Sequence, residues 1–372
     1  MTEGEKELVY VLSTYIGEVG GSAKATVLLC EALIQSGRRV RLFVASRSNP
    51  ETVQKLEALG VRVDVPRVAV LSRWAWPSRS LILQLWRAAR KEHPAFIHTI
   101  SLSQEARFLL QLPRVAPVYL WETTEALPHV KFVDQKIARY LHKAAAVFVP
   151  SRTVERNARQ SYGFRGPVGI LPFWVENPPT RATTVHKRHK NFAFVGRMDL
   201  DKGFRFLFEA FSQVQKLHPT TTLTVCGGGD VETVRRLAAP YPAIELRGYI
   251  SDEDYETVIE SCDAVVLPSL HEGYPLSLLE ACGRGTPLVA TTVGSIPEVF
   301  DGRACALLVP PSDAPALAAA MTQLLSEDDA TYSHRCSDAR EVFESLSSPS
   351  VVRQRLLHIY SEIERGAAHT LN

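Results

Sequence analysis

The chain has 372 residues, too many for one ordinary core and enough for two α/β domains. With 45% hydrophobic and 22% charged residues it reads as a soluble globular protein. A formal net charge of +2 argues against a bulk polyanion binder, so no nucleic-acid partner is expected, although local basic patches are allowed.

The amino terminus, MTEGEKE, is acidic and lacks an apolar stretch, so no signal peptide is expected there. Short β-branched runs then alternate with helical patterns: ELVYVLS (7–13), a helix over ATVLLCEALIQSG (25–37) stopped by Gly37, then RVRLFVAS, VRVDVP, AFIHT, PVYLW and AAVFVPS. Parallel strands need crossover connections and the intervening helices supply them, so the pattern predicts a parallel, doubly wound sheet. Residues 175–190, VENPPTRATTVHKRHK, are poor in apolar residues, contain Pro178 and Pro179 and end in a basic cluster, which reads as a linker. The second half repeats the architecture with strands NFAFVG, TLTVCGGG, AIELRG, DAVVLP, TPLVAT and CALLVP. An amphipathic helix, SVVRQRLLHIYSEIER, closes the chain.

The expected organisation is a Rossmann-like domain over 1–175, a linker at 176–190 and a second Rossmann-like domain over 191–345. A helix over 346–372 is expected to pack back toward the first domain. The two lobes would face each other across a cleft. The six cysteines are scattered with no CxxC pair, and several fall inside apolar runs, which suits core residues in a reducing compartment. No run reaches the roughly 18 apolar residues of a membrane span, so a cytoplasmic protein is expected.

Ligands of open parallel sheets bind outside the carboxyl ends of the strands, and polar residues concentrate there. In VGRMDLDKG (195–203), Gly196 turns the chain after a strand, and Arg197 and Lys202 follow in the loop. Two cations suit a diphosphate, arginine as a planar fork and lysine as a compact charge. In VCGGGD (225–230), Gly227 and Gly228 allow close backbone approach, and the next helix N-terminus favours an anion. The motif lacks the spacing of a dinucleotide fingerprint or a P-loop.

The sharpest signal is LPSLHEGYPLSLLEACGRGTPLVAT (267–291). A strand leads into a loop carrying Glu272 and Gly273, and a helix is expected to begin near Pro275, with Glu280 between one and two turns in. Carboxylates accept hydrogen bonds from vicinal hydroxyls, so the pair fits one sugar ring and one ribose. Backbone N–H groups of Gly273, Tyr274 and Leu276 are expected to face phosphates. Asp252-Glu253-Asp254 spells D-x-D, a pattern that can hold a metal; Ser251 with Asp254 reads instead as a capping box, so no metal and no cofactor are assigned. Residues 73–93, RWAWPSRSLILQLWRAARKEH, fit a helix packed on the sheet by its Leu and Trp face; the alternative is a basic helix in peripheral contact with an anionic membrane, which would be the inner face.

These motifs carry a resemblance. GRMDLDKG, CGGGD, LRGYIS, HEGYPLSLLEAC, GTPLVAT and TTVGSIPEVFDG occur across about residues 192–325 in the order of the retaining glycosyltransferases of the GT-B fold, family four. The resemblance implies a metal-independent, retaining transfer of a hexose from a nucleotide-diphosphate sugar, such as a UDP-sugar, to a hydroxyl acceptor. It implies that Arg197, Lys202 and Glu272 form the catalytic set, with Glu272 on the donor hexose and Arg197 and Lys202 on the diphosphate. Glu280 would hold the ribose, and Gly248, Tyr249 and Ile250 would lie near the base. Gly196, Gly227, Gly228, Gly273, Tyr274, Pro275 and Leu276 complete the implied donor site. GEVGGSAKATVLLCEALIQSGRRVRLF resembles the family's N-terminal glycine loop, which places Gly20 and Gly21 beside the donor phosphates or the acceptor. After PVYLW the family usually carries a histidine, and this sequence has Trp121 and Glu122, which become candidate acceptor groups; the bland alternative for Glu122 is an exposed loop residue. The competing readings are a sugar-nucleotide epimerase of similar fold and a catalytically silent sugar-nucleotide-binding subunit.

Overall fold

The computed structural model describes residues 7–14, 16, 21–45, 48–65, 76–122, 135–175, 188, 190–365 and 370–371, without the side chains of 21–24, 76–78, 135, 252 and 370–371. The chain divides into two compact units, Met1–Phe173 with Val352–Asn372, and Trp174–Val351. Most of the expected linker, 176–187 and 189, lies outside the described residues.

The first unit runs β1 (Leu8–Ser13), α1 (Gly21–Gln35), β2 (Arg39–Val44), α2 (Pro50–Ala58), β3 (Arg62–Asp64) and α3 (Trp76–Glu92). It continues β4 (Phe96–Ile100), α4 (Gln104–Gln111), β5 (Val118–Trp121), β6 (Ala146–Val149), α5 (Arg152–Tyr162) and β7 (Val168–Ile170). Two 3-10 turns, Gln135–Arg139 and Leu141–Lys143, lie between β5 and β6.

The second unit runs β8 (Asn191–Val195), a 3-10 turn (Leu200–Lys202), α6 (Phe204–Leu217), β9 (Thr222–Cys226), α7 (Val231–Ala238) and β10 (Ile244–Gly248). Next come α8 (Asp252–Glu260), β11 (Ala264–Leu267), α9 (Leu276–Gly283), β12 (Leu288–Thr291), α10 (Ile296–Phe300) and β13 (Ala306–Val309). Helices α11 (Ala314–Ser326), α12 (Asp329–Leu346) and α13 (Pro349–Glu364), and a short strand β14 (Thr370–Leu371), end the described chain.

The strands named by the sequence are all present, and every pairing between them is parallel. Two further strands, β7 and β14, are only three and two residues long, too short to show a period, and Gly169 interrupts the β-branched run of β7. In the first unit the order is β14-β7-β6-β5-β4-β1-β2-β3. Right-handed crossovers send α1 and α2 to one face and α3, α4 and α5 to the other, consistent with α1 packing on α2 and α3 on α4. Alternate strand residues feed the two faces: Tyr10, Leu12, Phe43, Ile97, Leu120 and Val147 pack beneath α3, α4 and α5.

The opposite face holds an aromatic cluster around His98, which is fully buried. Phe96 lies 4.8 Å from both Tyr119 and Tyr360, ring centre to ring centre. Tyr360 comes from α13, and its hydroxyl shares a 2.6 Å hydrogen bond with His98 Nδ1. The last helix is therefore tied to the first unit's sheet by a buried polar contact inside an apolar cluster. Burial without a compensating carboxylate pushes the His98 imidazole down to about 3, so it is neutral in the folded protein.

In the second unit the strand order is β10-β9-β8-β11-β12-β13. From β8 the chain builds outward through β9 and β10, then returns to place β11 on the other side of β8. The order reverses between β8 and β11, which pair directly through Ala264↔Phe192 and Val265↔Ala193. At such a reversal the loops leaving the strands diverge to opposite faces and open a crevice at the carboxyl edge.

A neutral buried histidine makes a pH prediction. The unfolded chain takes up a proton near 6.5 and the folded one only near 3, so stability is full above 6.5 and falls as pH drops through that window. At about pH 4.5 the loss from this group is roughly 3 kcal/mol. Thermal melts from pH 7 to 4 should show this slope, and His98→Gln should flatten it; an unchanged slope in the variant would remove His98 as the cause.

Candidate functional site

The crevice of the second unit is built from the loops after β8, β9 and β11. After β8 the chain passes through Arg197 and Asp199 into the turn ending at Lys202, and Gly203 adopts φ +72 to enter α6. After β11 it runs through Pro268, Ser269 and Glu272 to α9. Lys202 Nζ lies 2.6 Å from Glu272 Oε2, and Ser269 Oγ donates to the same oxygen at 3.1 Å. The two charged side chains are only 15% and 12% exposed. The sequence reading gave Lys202 to a diphosphate and Glu272 to a hexose; the structure brings them together as an ion pair.

The loop bearing Glu272 is held on every side. The Leu270 N–H donates to Asp201 O at 2.7 Å, the Thr291 hydroxyl to Ser269 O at 2.6 Å, and the Ser295 hydroxyl to Gly273 O at 2.6 Å. Two glycines permit this packing. A Cβ on Gly203 would sit 2.0 Å from Pro268 O, and one on Gly294, at φ +56, would sit 1.5 Å from Glu272 O. Sequence reasoning assigned no role to Ser269, Thr291, Gly294 or Ser295. For Thr291, Gly294 and Ser295 the signal was present in TTVGS at the end of a strand, a cluster of hydroxyls with a glycine, but nothing in the sequence says which carbonyls they meet.

Arg197 stands apart from that buried pair. Its side chain is 61% exposed and lies 2.9 Å from Asp199. An exposed ion pair of this kind is worth about 0–1 kcal/mol.

The glycine turn after β9 serves a different purpose from the one its composition suggested. A Cβ on Gly227, at φ +144, would lie 1.7 Å from Gly196 O, whereas Gly228 faces open space. Met198 N–H donates to Gly228 O at 2.7 Å and Asp230 N–H to Met198 O at 2.9 Å, stitching this turn to the loop after β8. Gly227 is thus required for loop-on-loop packing, and Gly228 is the member open to a ligand. At the start of α7, Asp230 accepts from Thr233 N–H at 3.1 Å as the cap. Those Thr233 bonds hold the Asp230 carboxyl below its ordinary range.

Helix α9 begins at Leu276 with Pro275 as its cap residue. The expectation of a free Leu276 N–H is corrected, because it donates to Tyr274 O at 3.0 Å. Tyr274 is 7% exposed and Pro275 is buried. Glu280 is half-buried in the second turn of α9, and Arg284 Nη1 donates to its carbonyl at 2.8 Å. Arg284 also pairs with Glu256 and stacks over the Tyr255 ring at 4.9 Å. Burial first, and the nearby Glu280 charge second, push the Tyr255 phenol well above its ordinary value.

On β10, Gly248 adopts φ +70 and accepts the Gly227 N–H at 2.7 Å, so the turn carrying Tyr249 and Ile250 is tied to the glycine loop. Tyr249 is 62% exposed. Ser251 caps α8, accepting the Asp254 N–H at 3.1 Å and donating to its carboxylate at 2.8 Å. Asp254 is thus engaged in the cap through the Ser251 hydroxyl.

In the first unit Gly20 lies outside the described residues, and Gly21 opens α1. Trp121 ends β5 and is fully buried, stacked on Phe173 at 5.3 Å. That corrects its candidacy as an acceptor contact: the strand's pleat turns the indole into the core. Glu122 is also fully buried, with its N–H on Phe148 O at 2.8 Å, so it is not an exposed loop residue.

Comparison with known proteins meets this geometry. A family model described as "Glycosyl transferases group 1" matches residues 189–327, and one described as "Glycosyltransferase Family 4" matches 19–176. The chain belongs to the group 1 and family 4 glycosyltransferases. The glycogen synthase of Mycobacterium tuberculosis (strain CDC 1551) is 29% identical over 178 residues, 46% of this chain and 42% of the relative. The match thus spans less than half of that protein. The phosphatidyl-myo-inositol mannosyltransferase of Mycobacterium leprae is 24% identical over 95% of this chain and 96% of its own length. Among solved structures, Anabaena HepE in complex with UDP and glucose superposes with a TM-score of 0.75 at 15% identity, covering 96% of this chain and 100% of HepE. Its GT-B fold is shared by this glycosyltransferase.

The group 1 match covers β8 to α11 and so contains Lys202, Glu272, Glu280, Gly294 and Ser295 together. In this glycosyltransferase Gly294→Ala should displace the Glu272 carbonyl, costing about 2–3 kcal/mol in urea denaturation. Ser295→Ala, which leaves one carbonyl without its donor, should cost about 1 kcal/mol. Equal stability of Gly294→Ala and wild type would show that the loop relaxes without strain.

Proposed function

We propose that the protein moves a hexose from a nucleotide-diphosphate sugar to a hydroxyl acceptor, with retained anomeric configuration and without a metal. The observation that carries this reading is the Lys202–Glu272 pair at the strand reversal, with Arg197 exposed on the loop that leads to Lys202 and Glu280 on the following helix. A diphosphate is a stronger partner for an ammonium than one carboxylate, because it offers more charge and more acceptor oxygens. On donor binding Lys202 turns to the diphosphate, joined by Arg197, and the released Glu272 carboxylate accepts from the hexose hydroxyls. Glu280, held half-buried on α9, accepts from the ribose hydroxyls.

Charge builds on the diphosphate as the glycosidic bond breaks, and cations already in place stabilise it without reorganisation. Arg197 and Lys202 supply that charge from side chains, which is the basis for expecting no metal requirement. HepE, of the same fold, was solved with UDP, so a UDP-sugar is the donor to try first.

A panel of nucleotide sugars, scored for free nucleotide diphosphate with and without hydroxyl acceptors, tests the reading. Turnover should need an acceptor and survive EDTA, and product NMR should show the donor's anomeric configuration. Turnover without acceptor that yields an isomerised sugar nucleotide would replace transfer by epimerisation, and donor binding without turnover on any acceptor would favour a silent subunit. Lys202→Met should lower kcat by about 10²–10³ through lost charge stabilisation. Glu280→Gln should raise the donor KM by about tenfold with kcat nearly kept, consistent with a lost hydrogen bond to a charged group; unchanged donor affinity would remove the ribose role.

A further inference from the structure

Lys202 and Glu272 neutralise each other at 2.6 Å, and both side chains are nearly enclosed. Glu272 Oε2 receives two donors, the Lys202 ammonium and the Ser269 hydroxyl at 3.1 Å. Ser269 is itself fully buried, and Thr291 fixes its carbonyl at 2.6 Å. Ser295 holds the Gly273 carbonyl, and Gly294 packs against the Glu272 carbonyl with no room for a Cβ. The backbone that carries the carboxylate is therefore clamped, whereas the ammonium sits on a flexible four-carbon stem. Lys202 can change partners, and the loop of Glu272 cannot follow it.

A carboxylate withdrawn from water and stripped of its cation is strongly unfavourable unless other donors replace it. An intact nucleotide sugar brings such donors. Its diphosphate takes the ammonium, and its hexose hydroxyls give hydrogen bonds to Glu272, so both halves of the pair are satisfied again. A bare nucleoside diphosphate takes the ammonium and returns nothing, because its phosphate oxygens are acceptors with the same sign of charge as Glu272. The two ligands are alike at the diphosphate and differ at one clamped carboxylate.

We propose that the Lys202–Glu272 pair is the element by which the site tells a nucleotide sugar from the nucleoside diphosphate left after transfer. It holds the first and expels the second as the pair re-forms. The proposal rests on the donor reading above and adds a competition to it, in which Glu272 and the diphosphate contend for one ammonium. Two ligands that each take one half of the pair must then assist each other. A nucleoside diphosphate frees Glu272 for a hexose, and a hexose frees Lys202 for the diphosphate. Linkage makes the two effects equal in size.

Titration calorimetry of the full chain tests this, first with UDP-, GDP- and ADP-hexoses to find the nucleotide sugar that binds, then with its diphosphate and its free hexose. In the wild type, excess hexose should lower the Kd of the diphosphate by about tenfold. Glu272→Gln should by itself tighten the diphosphate about tenfold, abolish the effect of hexose and weaken the intact nucleotide sugar. The opposite signs for the two nucleotides are the signature, since a carboxylate that only contacts the hexose would leave the diphosphate unchanged. In a Lys202→Met background, where the diphosphate binds more weakly, adding Glu272→Gln should leave its Kd unaltered. Diphosphate affinity unchanged or lowered by Glu272→Gln would show that one ammonium serves both anions at once, and would overturn the proposal while the donor reading stands. Tightening that persists in full beside Lys202→Met would assign it to plain charge repulsion and overturn the proposal equally. If Glu272→Gln does not fold, the wild-type titrations decide: additive binding of hexose and diphosphate would overturn it. Failure of every nucleotide sugar and diphosphate to bind would sink the donor reading, and the proposal with it.

Discussion

A lysine ammonium and a glutamate carboxylate meet at 2.6 Å where the strand order of the second sheet reverses, and most of the site's geometry follows from that contact. Two charges withdrawn from water each lose hydration worth several kcal/mol, and the loss is recovered only if geometry is good and the remaining lone pairs are satisfied. Ser269 satisfies one of them. The loop can sit where this happens because Gly203 and Gly294 have no Cβ to strike Pro268 and Glu272. Thr291 and Ser295 then bind its carbonyls, so the carboxylate is carried on a fixed frame.

The same logic explains the glycine turn after β9. Its tightest glycine is spent on the approach of Gly196, and the turn is then bonded to Met198 and Gly248. Three loops leaving three strands are in this way fused into one surface. Arg197 and Tyr249 are exposed at this surface and Gly228 faces open space. A rigid base with a few exposed groups suits a site that must recognise a large polar ligand while keeping its charges in position.

The two units share a parallel architecture but differ in where their polar residues go. The second unit concentrates them at the carboxyl edge of its sheet. The first encloses His98, Trp121 and Glu122 in its interior and spreads its cations over a helical layer. The Tyr360–His98 contact ties the last helix to the first unit, so residues far apart in sequence share one core.

Much of this was legible in the sequence. Alternating β-branched runs and helical periods fixed the parallel α/β class, because side-chain period and crossover length are local properties. Motif order identified the family, and HEGYPLSLLEAC placed Glu272 before a helix and Glu280 inside it. Burial of a given side chain was not legible: Trp121 and Glu122 read as loop groups because the end of a strand and the turn of its pleat depend on neighbouring strands. Nor could the sequence pair Lys202 with Glu272, seventy residues away, or assign Gly294 to the Glu272 carbonyl. Those contacts arise from strand order, which brings distant loops together, and from backbone atoms that no side-chain pattern encodes.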